Sequence, residues 1–186
     1  MSQSNWATAY WKRICGDREE NIEKAINAYE EVLQKVFILK TFPEKWSKTK
    51  NPLGAAYIDR IRGDKAENLE KAIKYFQATL KEVYTREAFP INYAETEYNL
   101  GTAYYVLARQ DTQKFTQAHD ALADAINTVE SLRLEILYGS GKEGDKQKLA
   151  EKWNELYQRM VVVCLELNKD KEAIEYVERG CGLHLL

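Results

Sequence analysis

The side chains that could carry out nucleophilic or metal chemistry in this sequence are those of two histidines and three cysteines. A cysteine nucleophile needs a histidine within hydrogen-bond reach and a third group that orients the histidine. A metal ion needs three or four converging ligands, and the sequence places only Cys181 and His184 close together. Cys164 takes an apolar core position and His119 lies on a predicted helix beside Ala118, so packing or surface placement explains both. We therefore predict no catalytic residue, no metal site and no cofactor.

A glycine-rich stretch, GSGKEG from Gly139 to Gly144, invites comparison with phosphate-binding loops. It lacks the G-x4-G-K-[ST] spacing and no predicted strand precedes it, which favours a flexible turn. Glutamate and lysine alternate along the predicted helices, as at Glu19, Glu20, Glu23 and Lys24, which is typical of a solvated face. These patterns do not predict an enzyme.

The composition excludes several classes of partner. The net charge of −2 and the pI near 5.9 leave no excess of lysine and arginine to neutralise a nucleic-acid backbone. The longest apolar run, Met160 to Leu165, is far shorter than the roughly 20 residues of a membrane span. An odd number of widely spaced cysteines argues against a disulfide framework, and no signal peptide is visible. We expect a cytoplasmic protein that binds neither nucleic acid nor membranes.

An internal repeat organises the elements that position these side chains. The segment GDREENIEKAINAYEEVLQKVF from Gly16 is similar to GDKAENLEKAIKYFQATLKEVY from Gly63, an offset of 47 residues. The offset persists from Phe42-Pro43 to Phe89-Pro90, and from Leu53-Gly54 to Leu100-Gly101. A repeat of this length is typical of stacked helical units, none of which can bury its apolar face alone.

Each unit is predicted to contain a first helix, A, and a second helix, B. The B helices carry apolar residues at helical spacing, and Pro43 and Pro90 suit the first turns of two A helices. An interior proline, Pro52, predicts a kink between Lys48 and Pro52. We predict one all-α domain over residues 1–186, with about three and a half to four units at approximately 1–40, 43–87, 90–138 and 145–182. The B-helix core positions are Ile22, Ala25, Ile26, Tyr29, Leu33 and Val36; Leu69, Ala72, Ile73, Phe76, Leu80 and Val83; and Phe115, Ala118, Leu122, Ala125, Ile126 and Val129.

These residues resemble the tetratricopeptide repeat, whose helix–turn–helix unit carries W-x2-L-G-x2-Y and then A-x3-F. The match is carried by Leu53-Gly54 and Tyr57 with Ala72 and Phe76; by Leu100-Gly101 and Tyr104 with Ala118 and Leu122; and by Tyr157, Met160, Val161 and Cys164 with Ala173 and Val177. The resemblance covers nearly the whole chain and implies a superhelical solenoid. Small residues at Gly54, Gly101, Ala72, Ala118 and Ala173 are expected to let neighbouring helices approach closely.

A closer resemblance joins the segments NLGTAY, IRGDKAENLEKAI, TREAFP and AIEYVERG to long bacterial, notably cyanobacterial, repeat arrays. In that family such arrays often precede a caspase-like CHAT peptidase domain. The resemblance implies either the repeat region of a larger protein or a short stand-alone relative. Because terminal repeats normally need a polar cap, the opening within a unit and the apolar tail Leu183, Leu185 and Leu186 favour an incomplete array.

The A helices of such arrays line a concave groove that takes peptides. Projecting the repeat register onto the A helices predicts these groove residues: Thr8, Trp11 and Lys12; Lys48, Asn51, Ile58 and Asp59; Glu95, Tyr98, Asn99, Thr102 and Tyr105; and Gln158 and Arg159. Trp11, Ile58 and Tyr105 share one register position and predict an apolar stripe, although Trp11 and Tyr105 could instead contact a neighbouring B helix. Asn99 could bond a ligand backbone.

The predicted function is a non-catalytic scaffold that binds a protein or peptide in this groove. Lys12, Lys48 and Arg159 are the only basic residues among the groove positions, which argues against the two-carboxylate clamp of chaperone-tail-binding relatives. Two alternatives stay open. The array could be the regulatory or sensor arm of a CHAT-type peptidase or another effector, or a structural module whose open ends assemble into homo-oligomers.

Overall fold

The computed structural model describes residues 3–13, 15–35, 40–138 and 143–181, all of which fall in helices or the turns between them. The helices are α1 Gln3–Trp11, α2 Arg18–Lys35, α3 Pro43–Asp59, α4 Lys65–Glu82, α5 Pro90–Ala108, α6 Lys114–Tyr138, α7 Glu143–Glu166 and α8 Asp170–Cys181. None of these described helices is long and apolar enough to cross a membrane. Val36, His184 and the apolar tail, and residues 139–142 of the glycine-rich turn, lie outside the described residues.

The helices pair in chain order, and the chain divides into two compact units. In unit 1, Met1–Tyr84, α1 packs on α2 and α3 packs on α4, while α2 and α1 both contact α3. In unit 2, Thr85–Leu186, the pairs are α5 with α6 and α7 with α8, and α6 and α5 both contact α7. The prediction of an all-α chain built of helical hairpins is confirmed. That the whole chain forms one domain stays a prediction.

The 47-residue repeat is visible in the turns that begin the B helices. Gly16 and Gly63 have φ of 88° and 79°, values that a residue without a Cβ adopts without strain. Asp17 and Asp64 then each accept a hydrogen bond at 2.9 Å, from the backbone N–H of Glu20 and of Glu67 respectively. The equivalent side chains of Asn21 and Asn68 are buried and donate to the carbonyls of Cys15 and Arg62, at 3.1 and 2.8 Å. The two similar segments therefore form the same turn and cap the N-termini of α2 and α4 with the same hydrogen bonds.

Close helix approach is confirmed at the two glycines of the repeat motif. A Cβ built on Gly54 would lie 2.7 Å from Cε1 of Phe76, and one built on Gly101 would lie 2.7 Å from Cγ of Leu122. The predicted small residues of the B helices, Ala72, Ala118 and Ala173, are all buried. Because each glycine leaves no room for a side-chain atom, the backbone of α3 packs directly against Phe76 of α4, and that of α5 against Leu122 of α6.

The predicted apolar faces of the B helices form the core. All six predicted positions of α6 are buried, from Phe115 to Val129. In α2 and α4 the first four predicted positions are buried, while Leu33, Leu80 and Val83, the residue after α4, are half-buried. Helix α3 continues without a break through Pro52, and the kink at this proline stays a prediction.

Candidate peptide-binding site

The A helices meet in pairs within each unit, and these pairs position the predicted groove residues. Helix α1 contacts α3 in unit 1, and α5 contacts α7 in unit 2. The predicted residues therefore form two groups, one in each unit. In both groups, side chains from one A helix bond to side chains on the next.

In unit 1 the residues that meet are Trp11 and Asp59, which we name the Trp11–Asp59 patch. The indole Nε1 donates to Oδ2 of Asp59 at 2.9 Å. Arg18 donates to the same oxygen at 3.1 Å and also to the backbone carbonyl of Trp11. A cavity of about 450 Å³ adjoins the patch, lined by Trp11, Lys12, Arg13, Gly16, Arg18 and Asp59. Three cationic side chains and one carboxylate line this cavity and give it a positive balance.

The other predicted residues of unit 1 lie apart from that cavity. Lys48 is exposed and pairs at 3.4 Å with Glu44, one turn earlier on its own helix. Asn51 and Ile58 are half-buried on α3. Thr8 shares a 2.8 Å hydrogen bond with the hydroxyl of Tyr29 on α2. The structure thus brings Trp11, Lys12 and Asp59 together, and leaves the rest along α1 and α3.

In unit 2, Arg159 of α7 reaches two predicted aromatic residues of α5. Its guanidinium carbon lies 5.9 Å from the ring centroid of Tyr98 and 5.4 Å from that of Tyr105, which is cation–π distance. The Tyr98 hydroxyl donates to Oε2 of Glu155 at 3.2 Å. Tyr105 also packs against Phe115 of the B helix α6, with centroids 6.2 Å apart. We name Tyr98, Tyr105 and Arg159 the tyrosine–arginine site.

A cavity of about 330 Å³ opens at this site, lined by Tyr105, Glu155, Gln158, Arg159 and Val162. Among the described residues, the buried atoms Nε of Arg159 and Oγ1 of Thr102 have no hydrogen-bond partner. Other buried threonines bond back along their helix, as Thr96 does to the carbonyl of Asn92 at 2.7 Å. An unpaired buried donor costs free energy that a ligand can recover by bonding to it. Glu95 and Asn99 are half-buried on the same helix.

The repeat motif has tryptophan three residues before the leucine of Leu-Gly. This chain has a desolvated ionisable residue at that position in both copies, Lys50 before Leu53 and Glu97 before Leu100. Burial raises the pKa of the Glu97 carboxyl to about 7, and the negative charge of Asp124 adds to the effect. Burial raises the pKa of Tyr93 to about 12, and the charge of the nearby Glu97 carboxylate adds to the effect. In the other copy, burial lowers the pKa of the Lys50 ammonium, which lies 4.0 Å from the Trp46 ring centroid. The motif comparison could have found both charges, because each replaces an aromatic residue.

Three metal-ligating side chains also converge in unit 2. They are His119 on α6, Cys164 on α7 and Glu172 on α8. Each contributes one ligand atom, and the three atoms lie within 4.8 Å of one another. Burial raises the pKa of the Cys164 thiol to about 11, and the negative charge of Glu172 adds to the effect. The other two thiols, Cys15 and Cys181, are exposed. The sequence prediction considered only Cys181 with His184 and missed this group, whose members lie far apart along the chain.

Comparison with known proteins identifies no family for the chain. No protein-family profile matches it, and no curated protein sequence matches it. A solved structure, described as the crystal structure of MamA protein, is 21% identical, with a TM-score of 0.39 and coverage of 98% of this chain and 93% of that one. A likeness of this size carries no functional argument.

Proposed function

We propose that this protein is a non-catalytic scaffold that binds an extended peptide segment of another protein on the face shared by α5 and α7. The observation that carries the proposal is the tyrosine–arginine site, where Arg159 lies over two tyrosine rings beside a cavity and keeps one buried donor unpaired. Tyrosine and arginine, together with tryptophan, are enriched among the residues that dominate binding energy at protein interfaces.

The chemistry of the site selects the kind of peptide. Tyr105 and Val162 offer apolar contact for one side chain of the ligand, and the guanidinium of Arg159 can donate to a backbone carbonyl. Glu155 balances the charge of Arg159, so the site favours a segment without strong net charge. In unit 1, Trp11, Lys12, Lys48, Asn51, Ile58 and Asp59 remain candidate contacts for a different ligand group.

The test is a selection of displayed random peptides on the purified chain, followed by affinity measurement on the enriched peptides. We expect Arg159→Ala to weaken binding at least tenfold, because truncating an arginine that dominates an interface costs about 2 kcal/mol or more. Tyr98→Ala removes one of the two rings beneath the guanidinium and is expected to weaken binding as well. Lys171→Ala, which removes an exposed charge from α8, serves as the matched control and should bind like the unaltered chain.

Peptides that bind the intact chain and both groove variants equally would place the binding surface elsewhere. A library that yields no specific peptide would contradict the peptide-binding function itself. Circular dichroism of each variant establishes that a loss of affinity is not a loss of folding.

A second candidate function is self-assembly through α7 and α8. Leu165 is 52% exposed, Ile174 60% and Val177 48%, although all three are large apolar side chains. Val177 also lines a cavity of about 290 Å³, together with Asn154, Tyr157, Gln158, Val161, Tyr176, Gly180 and Cys181. Exposed apolar side chains on these two helices, one of them at the edge of a cavity, suit the stacking of a second copy.

Self-assembly predicts a mass that rises with protein concentration in sedimentation equilibrium. Val177→Glu is expected to lower the association constant at least tenfold, because association would bury an unpaired carboxylate. Lys171→Glu changes charge on the same helix and should leave association intact. An unaltered chain that stays monomeric at every concentration would remove this candidate.

The association with a CHAT-type peptidase remains a hypothesis carried by sequence resemblance alone. A downstream reading frame encoding a peptidase with a Cys–His pair would support the regulatory role. Its absence from the native gene would leave the scaffold role as the simpler account.

A further inference from the structure

The side chains of His119, Cys164 and Glu172 form a compact group where three helices of unit 2 meet. His119 Nε2 lies 2.7 Å from Oε1 of Glu172, and all three ligand atoms lie within 4.8 Å of one another. The Cys164 residue is fully buried, and the side chains of His119 and Glu172 are 12% and 31% exposed. The group is therefore shielded from bulk water on the cysteine side and open on the glutamate side.

The geometry points to a binding site for one divalent transition-metal ion, Zn²⁺ first, held by His119 Nε2, the Cys164 sulfur and a Glu172 carboxylate oxygen. Imidazole, thiolate and carboxylate are the ligands that zinc takes in proteins. Bond lengths of about 2.0 to 2.3 Å place tetrahedral ligand atoms about 3.5 Å apart. The observed separations need only side-chain adjustment to reach that arrangement.

Two features around the three ligands support a cation site. Asp120 Oδ1 lies 3.5 Å from Nδ1 of His119, so a small side-chain movement would form the hydrogen bond by which a carboxylate orients a metal-bound imidazole. Lys169 places its ammonium 3.1 Å from His119 Nε2 and 3.1 Å from Glu172 Oε2, so positive charge already occupies this location. The lysine side chain is 42% exposed and long enough to move into solvent.

Metal binding exchanges one cation for another. The Cys164 S–H bond breaks, its proton goes to solvent, and the thiolate forms the metal–sulfur bond. Glu172 binds as the carboxylate, and the ammonium of Lys169 leaves the site. Three protein ligands leave a fourth position for water. The ion would join α6 to the α7–α8 hairpin. Its ligand on α7, Cys164, lies five residues after Arg159.

The test is a Co²⁺ titration of the untagged, reduced chain, followed by absorbance. We expect one equivalent of Co²⁺ to produce the thiolate-to-cobalt charge-transfer band and the d–d bands of a tetrahedral site, and Zn²⁺ to abolish both. Cys164→Ala should lose the charge-transfer band, and Glu172→Gln should weaken Co²⁺ binding at least tenfold. Lys169→Ala should bind Co²⁺ more tightly than the unaltered chain, because the competing ammonium is gone.

The control is the triple variant Cys15→Ser, Cys181→Ser, His184→Ala, which removes the other candidate ligands and should keep both bands. A spectrum that disappears in this triple variant would overturn the assignment. So would the absence of any cobalt spectrum from both the unaltered chain and Lys169→Ala. The Lys169→Ala variant keeps the proposal testable even if changing the buried Cys164 unfolds the protein.

Discussion

Replacing Gly101 by valine is expected to lower the free energy of unfolding of unit 2 by about 3 kcal/mol, because overpacking at a tight contact forces neighbouring groups apart. The new Cβ would lie 2.7 Å from Leu122 Cγ and 3.2 Å from the backbone carbonyl oxygen of Ala118. The leucine contact involves a branched carbon near the backbone, and the carbonyl oxygen belongs to helix α6, so neither can move aside easily. Urea denaturation followed by circular dichroism measures the loss.

A double-mutant cycle separates this clash from other effects of the substitution. Leu122→Ala removes the side-chain atoms that the valine would meet, at its own cost in cavity formation of about 2 to 5 kcal/mol. In that background Gly101→Val should cost less than in the unaltered chain, by about 1 kcal/mol or more of coupling. Equal costs in the two backgrounds would show that contact with Leu122 is not what requires glycine at this position.

Changing Glu97 to glutamine is expected to stabilise the protein above neutral pH and to have little effect in mild acid. The folded state holds the Glu97 proton up to a pKa of about 7, whereas the ordinary value is 4.5. Between these values the folded state binds more protons than the unfolded state, so the carboxyl's contribution to stability is lost as pH rises through about 7. The full difference corresponds to about 3 kcal/mol, which Glu97→Gln should recover at pH 8.

The measurement is the difference in unfolding free energy between the unaltered chain and Glu97→Gln from pH 4.5 to pH 8. Taking the difference removes the opposite pH dependence of carboxyls such as Glu23, whose pKa is lowered first by its hydrogen bond to Arg60. The groups facing Glu97 are Tyr93, Asp124 and Arg86. The control is Glu87→Gln, the same substitution at an exposed carboxyl of the same unit. A flat difference for Glu97→Gln would mean that its carboxyl is solvated.

The repeat register predicted the local structure because each unit's caps and packing depend on residues close together in the sequence. Gly16 and Gly63, with the aspartate that follows each, predict the same turn twice, and the turns agree in φ and in cap distance. Close contact at Gly54 follows from the motif, since only glycine leaves room for Phe76. The turns that begin the B helices and the tight contacts at the motif glycines were therefore accessible from sequence alone.

The side-chain groups that join different hairpins were not accessible in the same way. Arg159 was projected as a groove residue, but its place over two tyrosine rings depends on how α7 packs against α5. His119, Cys164 and Glu172 belong to three helices, and no local spacing brings them together. Such groups follow from the angle and offset between helices, which the packing of the whole hairpin determines.

The distribution of thiols makes the unaltered chain suitable for spectroscopic distance measurement. Cys15 is exposed in unit 1 and Cys181 is exposed in unit 2, while Cys164 is buried and its pKa of about 11 keeps it a thiol at neutral pH. Because the thiolate is the reactive form, maleimide or nitroxide reagents should modify Cys15 and Cys181 and spare Cys164. One fluorophore or spin label on each unit then reports the separation of the two units in solution, with and without a bound peptide, and no residue has to be replaced.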